Sequence, residues 1–226
     1  IADPILDPIS YGFTKSIERY ISLREKYPDI HIMIGIGNIT ELTHADTSGI
    51  NMIMLGIVEE LKLNHILTTQ VSRHCSTVIR ETDLARRIIH AASENNITPK
   101  HINDGLLINH GHKDYPYTSE ELKDMKSNIK DRNYRIYVNN DGIHLFNKNI
   151  YKVFTDPFDF YEFLEVSDDS GHSFYLGVEL ARAQVAYQLK KEYSQDEELE
   201  WGCIVDKKVD NKLASKELGP TFKKRK

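Results

Sequence analysis

The stretch "IHIMIGIG", Ile30 to Gly37, sets the tightest limit on how this chain can fold. It is β-branched, uniformly apolar and closed by glycines. A run of that kind reads as a strand buried on both faces, as in a parallel sheet covered by helices. Parallel neighbours need long crossover connections, so helices should flank it. Upstream, "TKSIERYISLREKYPD" places Ile17, Tyr20, Ile21 and Leu23 at mostly helical spacing and stops near Pro28. Downstream, "GINMIMLGIVEELKL" reads as a buried helix and "NHILTTQV" as the next strand. "STVIRETDLARRIIHAASENN" then reads as an amphipathic helix, with Val78, Leu84, Ile88 and Ile89 on its apolar side. Counting "IADPIL" as a first short strand, three βα units fill roughly the first hundred residues.

That repeat fits either a doubly wound sheet or a (β/α)₈ barrel. Three units cannot close eight strands. The expectation is therefore an α/β fold in which residues 1–98 form the C-terminal portion of a barrel whose first strands lie outside this chain. Residues 99–131 are polar and read as a connector, with one helix begun by Thr118 or Ser119 and followed by Glu120 and Glu121. A small α+β domain is expected over 132–206. "YRIYVNNDGIHLF" gives it a hairpin, because Asn, Asp and Gly accept the positive φ of a tight turn. "DPFDFYEFLEV" reads as a short helix. The next helix, "SGHSFYLGVELARAQVAYQLKKEYSQ", carries a stripe of Phe174, Leu176, Leu180, Ala183 and Tyr187, and "EWGCIV" reads as a final strand. Residues 207–226 have little apolar content and read as a disordered tail.

The net charge of -5 gives no reason to expect nucleic acid or an anionic membrane. No apolar run approaches the ~20 residues of a membrane span. Cys75 and Cys203 stand far apart, which suits a reducing, cytoplasmic setting better than a disulfide framework. The hairpin and long helix of the second domain are compatible with a homodimer, a lid or a separate ligand site.

In parallel barrels, chemistry sits at the carboxyl ends of the strands. Those ends offer Asp3, Asp7 and Ser10; then Gly35, Gly37, Asn38, Thr40 and Glu41; then Thr68, Thr69 and Gln70. A carboxylate, a carboxamide and glycines at neighbouring strand ends suit a flat heterocycle. The carboxylate can accept parallel N–H bonds, the amide can donate and accept, and glycine lets a ring approach the backbone. The plainer reading stays open: Asp-Pro opens turns, and Asn after glycine caps them.

"IADPILDPIS", "IMIGIGNITELTHADTSGINMIMLGI" and "HILTTQV" resemble the pterin-binding domain shared by dihydropteroate synthases and methyltetrahydrofolate-type methyltransferases. The two-part order, ending in "GHSFYLGVELARAQVAYQLKKEYSQDEEL", is most similar to archaeal dihydropteroate-synthase-related proteins. The resemblance implies a pterin in the barrel mouth and a place in folate or tetrahydromethanopterin-type cofactor biosynthesis. Asp3-Pro4 matches the family's Asp-Pro, whose carboxylate grips the pterin, and Asp7-Pro8 is a second match. "GIGN" is similar to the methyltransferase-type motif and puts the pterin-contacting asparagine at Asn38, with Gly35 and Gly37 beside it.

The synthases' Ser-Arg-Lys triplet and Arg-x-His pattern are not reproduced, and Arg73 is displaced. Those basic residues hold the aminobenzoate and pyrophosphate, so the resemblance implies pterin binding without synthase turnover by the 226-residue chain alone. No catalytic residue is assigned, and Mg²⁺ is expected only in a full-length parent. The alternatives are a methyltransferase module, whose corrinoid would come from another chain, or a non-catalytic pterin binder.

Other patterns carry less. "HGH" (His110 to His112) and "HC" (His74, Cys75) lack structural zinc spacing, so no metal is expected. In "SGHSFYLG" Ser173 reads as a helix N-cap. "GIGN" fails the dinucleotide fingerprint at Thr40. Arg80, Glu81, Arg86 and Arg87 read as an exposed helix face with ion pairs, and "FKKRK" as a solvated terminal run.

Overall fold

The computed structural model describes residues 1–206. The tail expected over 207–226 lies outside them. The chain divides into two compact units, Ile1–Ile108 with Trp201–Asp206, and Asn109–Glu200. The stretch read as a connector is thus divided between them after Ile108, and Trp201–Asp206 belongs to the first unit.

The first unit contains α1 (Phe13–Lys26), β1 (Met33–Gly35), the single turn α2 (Gly37–Thr40), α3 (Thr47–Glu60), β2 (His65–Leu67) and α4 (Val78–Glu94). β1 and β2 are parallel, with Ile34 opposite Ile66. Ala2 makes a parallel bridge to Ile32, so the first expected strand is present as one pairing rather than a full strand. Strand burial is lopsided. Ile32, Ile34 and Ile36 are fully buried, while Met33 and Gly35 are half-buried. The side chains of a strand alternate between two faces. Burial on both faces, expected from the uniformly apolar run, is therefore complete on one face only.

Behind the buried face, Tyr20, Met54, Leu55 and Ala85 complete the core. The amino ends of the strands are clamped by Arg24. Its guanidinium donates to the carbonyls of Leu61, Lys62, Pro28 and Ile30. One planar group thus satisfies carbonyls from the end of α3 and from the loop entering β1.

The second unit contains α5 (Ser119–Ser127), β3 (Arg135–Asn139), β4 (Gly142–Phe146), β5 (Tyr151–Phe154) and α6 (Ser170–Leu189). Thr118 caps α5 through a capping box with Glu121. The hairpin joins β3 and β4 antiparallel, with Val138 opposite Ile143. Gly142 has φ 143, and a Cβ there would meet the Phe154 carbonyl at 2.8 Å, so only glycine fits. β5 adds to the other side of β4 and was not anticipated from sequence. β4 is consequently central and buried at every position.

One sheet face packs Ile136, Val138, Ile143 and Leu145 against Leu176, Leu180 and Ala183 of α6. Phe174, expected in that stripe, is 69% exposed. The outer edge of β3 is occupied by a side chain. The Gln195 amide accepts from Ile136 N–H at 2.9 Å and donates to the Tyr134 carbonyl at 3.2 Å. "EWGCIV", expected as a strand, instead forms a 3₁₀ turn at Gly202–Ile204. The left-handed φ of Gly202 (58°) and its approach to the Gly105 carbonyl explain the departure from extended backbone.

Candidate functional site

The carboxyl ends of the parallel strands are stitched into one cluster. Asp3 lies in the first loop, and its Oδ1 accepts from Ile5 N–H at 3.0 Å and from the Tyr20 hydroxyl at 3.1 Å. Tyr20 comes from α1 and is fully buried. Its burial, then the Asp3 charge, push its pKa well above the usual phenol range, while the N–H of Gly35 at the end of β1 opposes that shift. Tyr20 therefore stays protonated and links two strand ends. Both bonds fall on one oxygen of Asp3, which leaves Oδ2 outside them.

The loop around Asp3 is held in an uncommon shape. Ile5 has φ 63, a left-handed conformation that is rare for a β-branched residue. Arg19 enforces it, donating from Nη2 to the Ile5 carbonyl and to Asp7 Oδ2, both at 2.7 Å, and from Nε to the Pro4 carbonyl. Strain of this sort, worth about 1–3 kcal/mol, persists where surrounding contacts over-determine it, and it concentrates at functional sites. Asp7 pairs with Arg19 through Oδ2 alone, so each of the two Asp-Pro matches has one carboxylate oxygen outside these bonds.

Asn38 sits on α2 and is exposed. Its Nδ2 donates to the Leu6 carbonyl at 2.7 Å. One amide N–H is used, and the amide oxygen makes no bond among the described residues. Asn38 and Asp3 are therefore both tied to the same short loop, Asp3 to Asp7. A Cβ on Gly35 would meet nothing within 4 Å, so space lies over the end of β1. A Cβ on Gly37 would meet Thr69 Oγ1 at 3.1 Å, so this glycine serves contact between loops rather than open approach.

Glu41 completes the stitching. It accepts from Thr69 Oγ1 at 2.9 Å, Val71 N–H at 2.9 Å and Ser72 N–H at 2.8 Å. These bonds, the Val71 N–H foremost, hold its pKa down to about 2. His74 Nε2 and the Cys75 thiol both reach the Thr40 carbonyl, at 2.9 and 3.3 Å. Burial, aided by the charge of Glu41, raises the Cys75 pKa to about 11, so it is an inert thiol. The hydroxyl of Thr68, directly after β2, is buried and has no hydrogen-bond partner. The Tyr115 hydroxyl of the second unit is likewise buried and has no hydrogen-bond partner.

Several sequence readings take structural roles. In "HGH", Gly111 N–H donates to the Leu189 carbonyl, and a Cβ there would lie 2.0 Å from the Lys190 carbonyl. The motif packs its backbone on the end of α6. Among the described residues no three His, Cys, Asp or Glu side chains converge as a metal set. The strand-end acids do not suit Mg²⁺ either, since Asp7 is paired with Arg19 and Glu41 is filled by three donors.

Glu81, read as a surface charge, is 1% exposed. It accepts from Thr47, Asn51 and Thr77 and joins α3 to α4. Arg86 and Arg87 do pair on the surface, with Asp83. Asp169, not Ser173, caps α6 by accepting from His172 N–H, and Ser173 donates to the Val166 carbonyl. Among the described residues no helix is long and apolar enough to cross a membrane.

No family model matches the chain, and no solved structure matches it. It is similar to an uncharacterized protein of Methanocaldococcus jannaschii, with 30% identity over 224 residues. The match covers 88% of this chain and 42% of that protein, so the chain spans less than half the length of the curated relative.

Proposed function

We propose that this chain binds a pterin at the carboxyl ends of its parallel strands. In this reading it is part of a dihydropteroate-synthase-like (β/α)₈ barrel that serves folate or tetrahydromethanopterin-type cofactor biosynthesis in the cytoplasm. The observation that carries the reading is the attachment of Asp3 and Asn38 to one strained loop. Asp3 Oδ2 accepts an N–H from the amino-pyrimidinone edge, Asn38 meets a neighbouring edge, and the ring lies over Gly35, where a side chain is lacking. The expected two-oxygen grip of Asp3 becomes a one-oxygen grip, because Oδ1 already carries the Tyr20 and Ile5 bonds.

The absence of the synthases' basic triplet favours a binding or methyl-transfer role over diphosphate displacement by these loops. Calorimetry with a reduced pterin tests the proposal. Binding is expected for the 226-residue chain, weakened about ten-fold or more in Asp3→Ala and in Asn38→Ala. Undiminished affinity in both variants would move the ligand elsewhere, and no heat with any pterin would remove it.

A further inference from the structure

His31 and His65 meet at the amino ends of the parallel strands, the end opposite the loops that carry Asp3 and Asn38. His31 lies two residues before Met33, and Met33 stands opposite His65 in the strand register. Residues two apart share a face of a strand. Both imidazoles therefore stand on the face away from the buried Ile32, Ile34 and Ile36. Their backbone is fixed. The His31 carbonyl accepts from Ala2 N–H at 2.8 Å, and His65 N–H donates to the Ile32 carbonyl at 3.2 Å. His31 is exposed and His65 half-buried, so the pair is open to solvent.

His31 Nδ1 lies 3.3 Å from His65 Nε2, with ring centroids 5.5 Å apart and planes tilted by 36°. Neither ring has another hydrogen-bond partner among the described residues. An N–H···N bond at this distance is a weak one, since good N–H bonds span about 2.7–3.2 Å. The same spacing suits a shared ion. Two nitrogens each about 2.1 Å from one tetrahedral ion lie about 3.4 Å apart. The strand pairing already sets that span, and ring rotation alone would aim both lone pairs at one point.

The surroundings narrow the kind of ion. Imidazole selects copper(II), nickel(II) and zinc(II) over magnesium or calcium. No third His, Cys, Asp or Glu side chain joins the pair among the described residues, so the remaining positions fall to water. The amide oxygen of Asn64, beside His65, is taken up by Ile32 N–H and the Arg24 guanidinium. That fixed positive charge opposes a cation, so the ion is held loosely enough to exchange.

We infer that His31 and His65 form a two-imidazole site for a borderline divalent metal ion, joining the start of β2 to the chain that enters β1. The two residues are 34 positions apart and belong to no metal motif, so spacing along the sequence gives no sign of them. The inference is independent of the pterin reading.

Calorimetric titration of the 226-residue chain with copper(II) and with zinc(II) tests it. One leading equivalent is expected for each ion, with copper(II) the tighter. His31→Gln and His65→Gln, with folding checked by circular dichroism, should each weaken that equivalent at least about ten-fold. A lone imidazole lacks the second one's high effective concentration. His90→Gln, at an exposed position of α4, should leave it unchanged. On the unaltered chain, electron paramagnetic resonance of the first copper(II) equivalent should count two imidazole nitrogens, a reading that needs no variant. Affinity retained in either His31→Gln or His65→Gln would overturn the inference. So would a single nitrogen on the first equivalent, or an equal loss in His90→Gln.

Discussion

The end of the parallel strands and the end of the β3–β4 hairpin are both polar, and they treat their polar groups differently. At the hairpin, His144 is fully buried and both ring nitrogens are engaged, with the Tyr151 hydroxyl at 2.8 Å and Asn139 Oδ1 at 2.7 Å. Asn139 also donates to Ser119, and Ser119 bonds Asp141. Each polar member of that cluster has a partner within it. At the parallel strands, the Thr68 hydroxyl is orphaned, one Asp3 oxygen is spare, and Gly35 faces open space. A closed network specifies a shape. The contrast gives the histidine cluster of the second unit a structural role.

The largest effect that would challenge this picture is in the first unit. Glu81→Ala strands the Thr47 and Thr77 hydroxyls and the Asn51 amide, and should cost about 3–4 kcal/mol. Trp201, the single tryptophan, belongs to this unit, whereas most tyrosines belong to the other. Denaturant titration read by tryptophan fluorescence should shift, and tyrosine near-ultraviolet dichroism should not. An equal shift in both signals would show that the two halves unfold as one.

A smaller effect separates the halves by pH. Burial holds His144 down at about 4, with Asp141 opposing and Lys123 reinforcing the shift. The unfolded chain takes up this proton near pH 6.5 and the folded one does not. The contribution is complete above pH 6.5 and is lost as pH falls toward 4. By pH 5 it should cost the second unit about 1–2 kcal/mol, with solvent screening discounted. His144→Gln should flatten that slope in the tyrosine signal. Glu41 shows the same sign in a more acid window, its contribution lost only as pH falls through about 2. A tryptophan signal that declines first would reverse the expected order.

The smallest expected stability change is the sharpest functional test. Gly35→Ala adds a methyl group that meets no atom of the chain, so stability should move by no more than about 0.5 kcal/mol. Pterin affinity should nonetheless fall about ten-fold, because the methyl group fills the space proposed for the ring. Unchanged affinity would close that space as a site.

Much of this was legible in the sequence because its signals are local. The "NNDG" turn, the Thr118 cap and the helices α1, α3, α4 and α6 rest on residues within a few positions of one another. The polar strand ends were legible for the same reason, since a parallel strand must stop before its loop begins. What stayed hidden depends on distant partners. Glu81 looks like any charge on an amphipathic helix until Thr47 and Asn51, some thirty positions away, are packed onto it. Tyr20 fits a core stripe, and nothing in its spacing tells that its hydroxyl reaches Asp3. β5 was missed because "YKVF" is short and half-polar, and it becomes a strand only through the edge of β4.

The amide of Gln195 carries one more implication. By meeting the Ile136 N–H of β3 and the Tyr134 carbonyl just before it, it counterfeits the backbone of a fourth strand, and it presents no further ladder beyond itself. Without it, those two groups would be free to recruit an extended segment from a neighbouring molecule. A single side chain thus occupies the start of the β3 edge, where a further strand would otherwise pair.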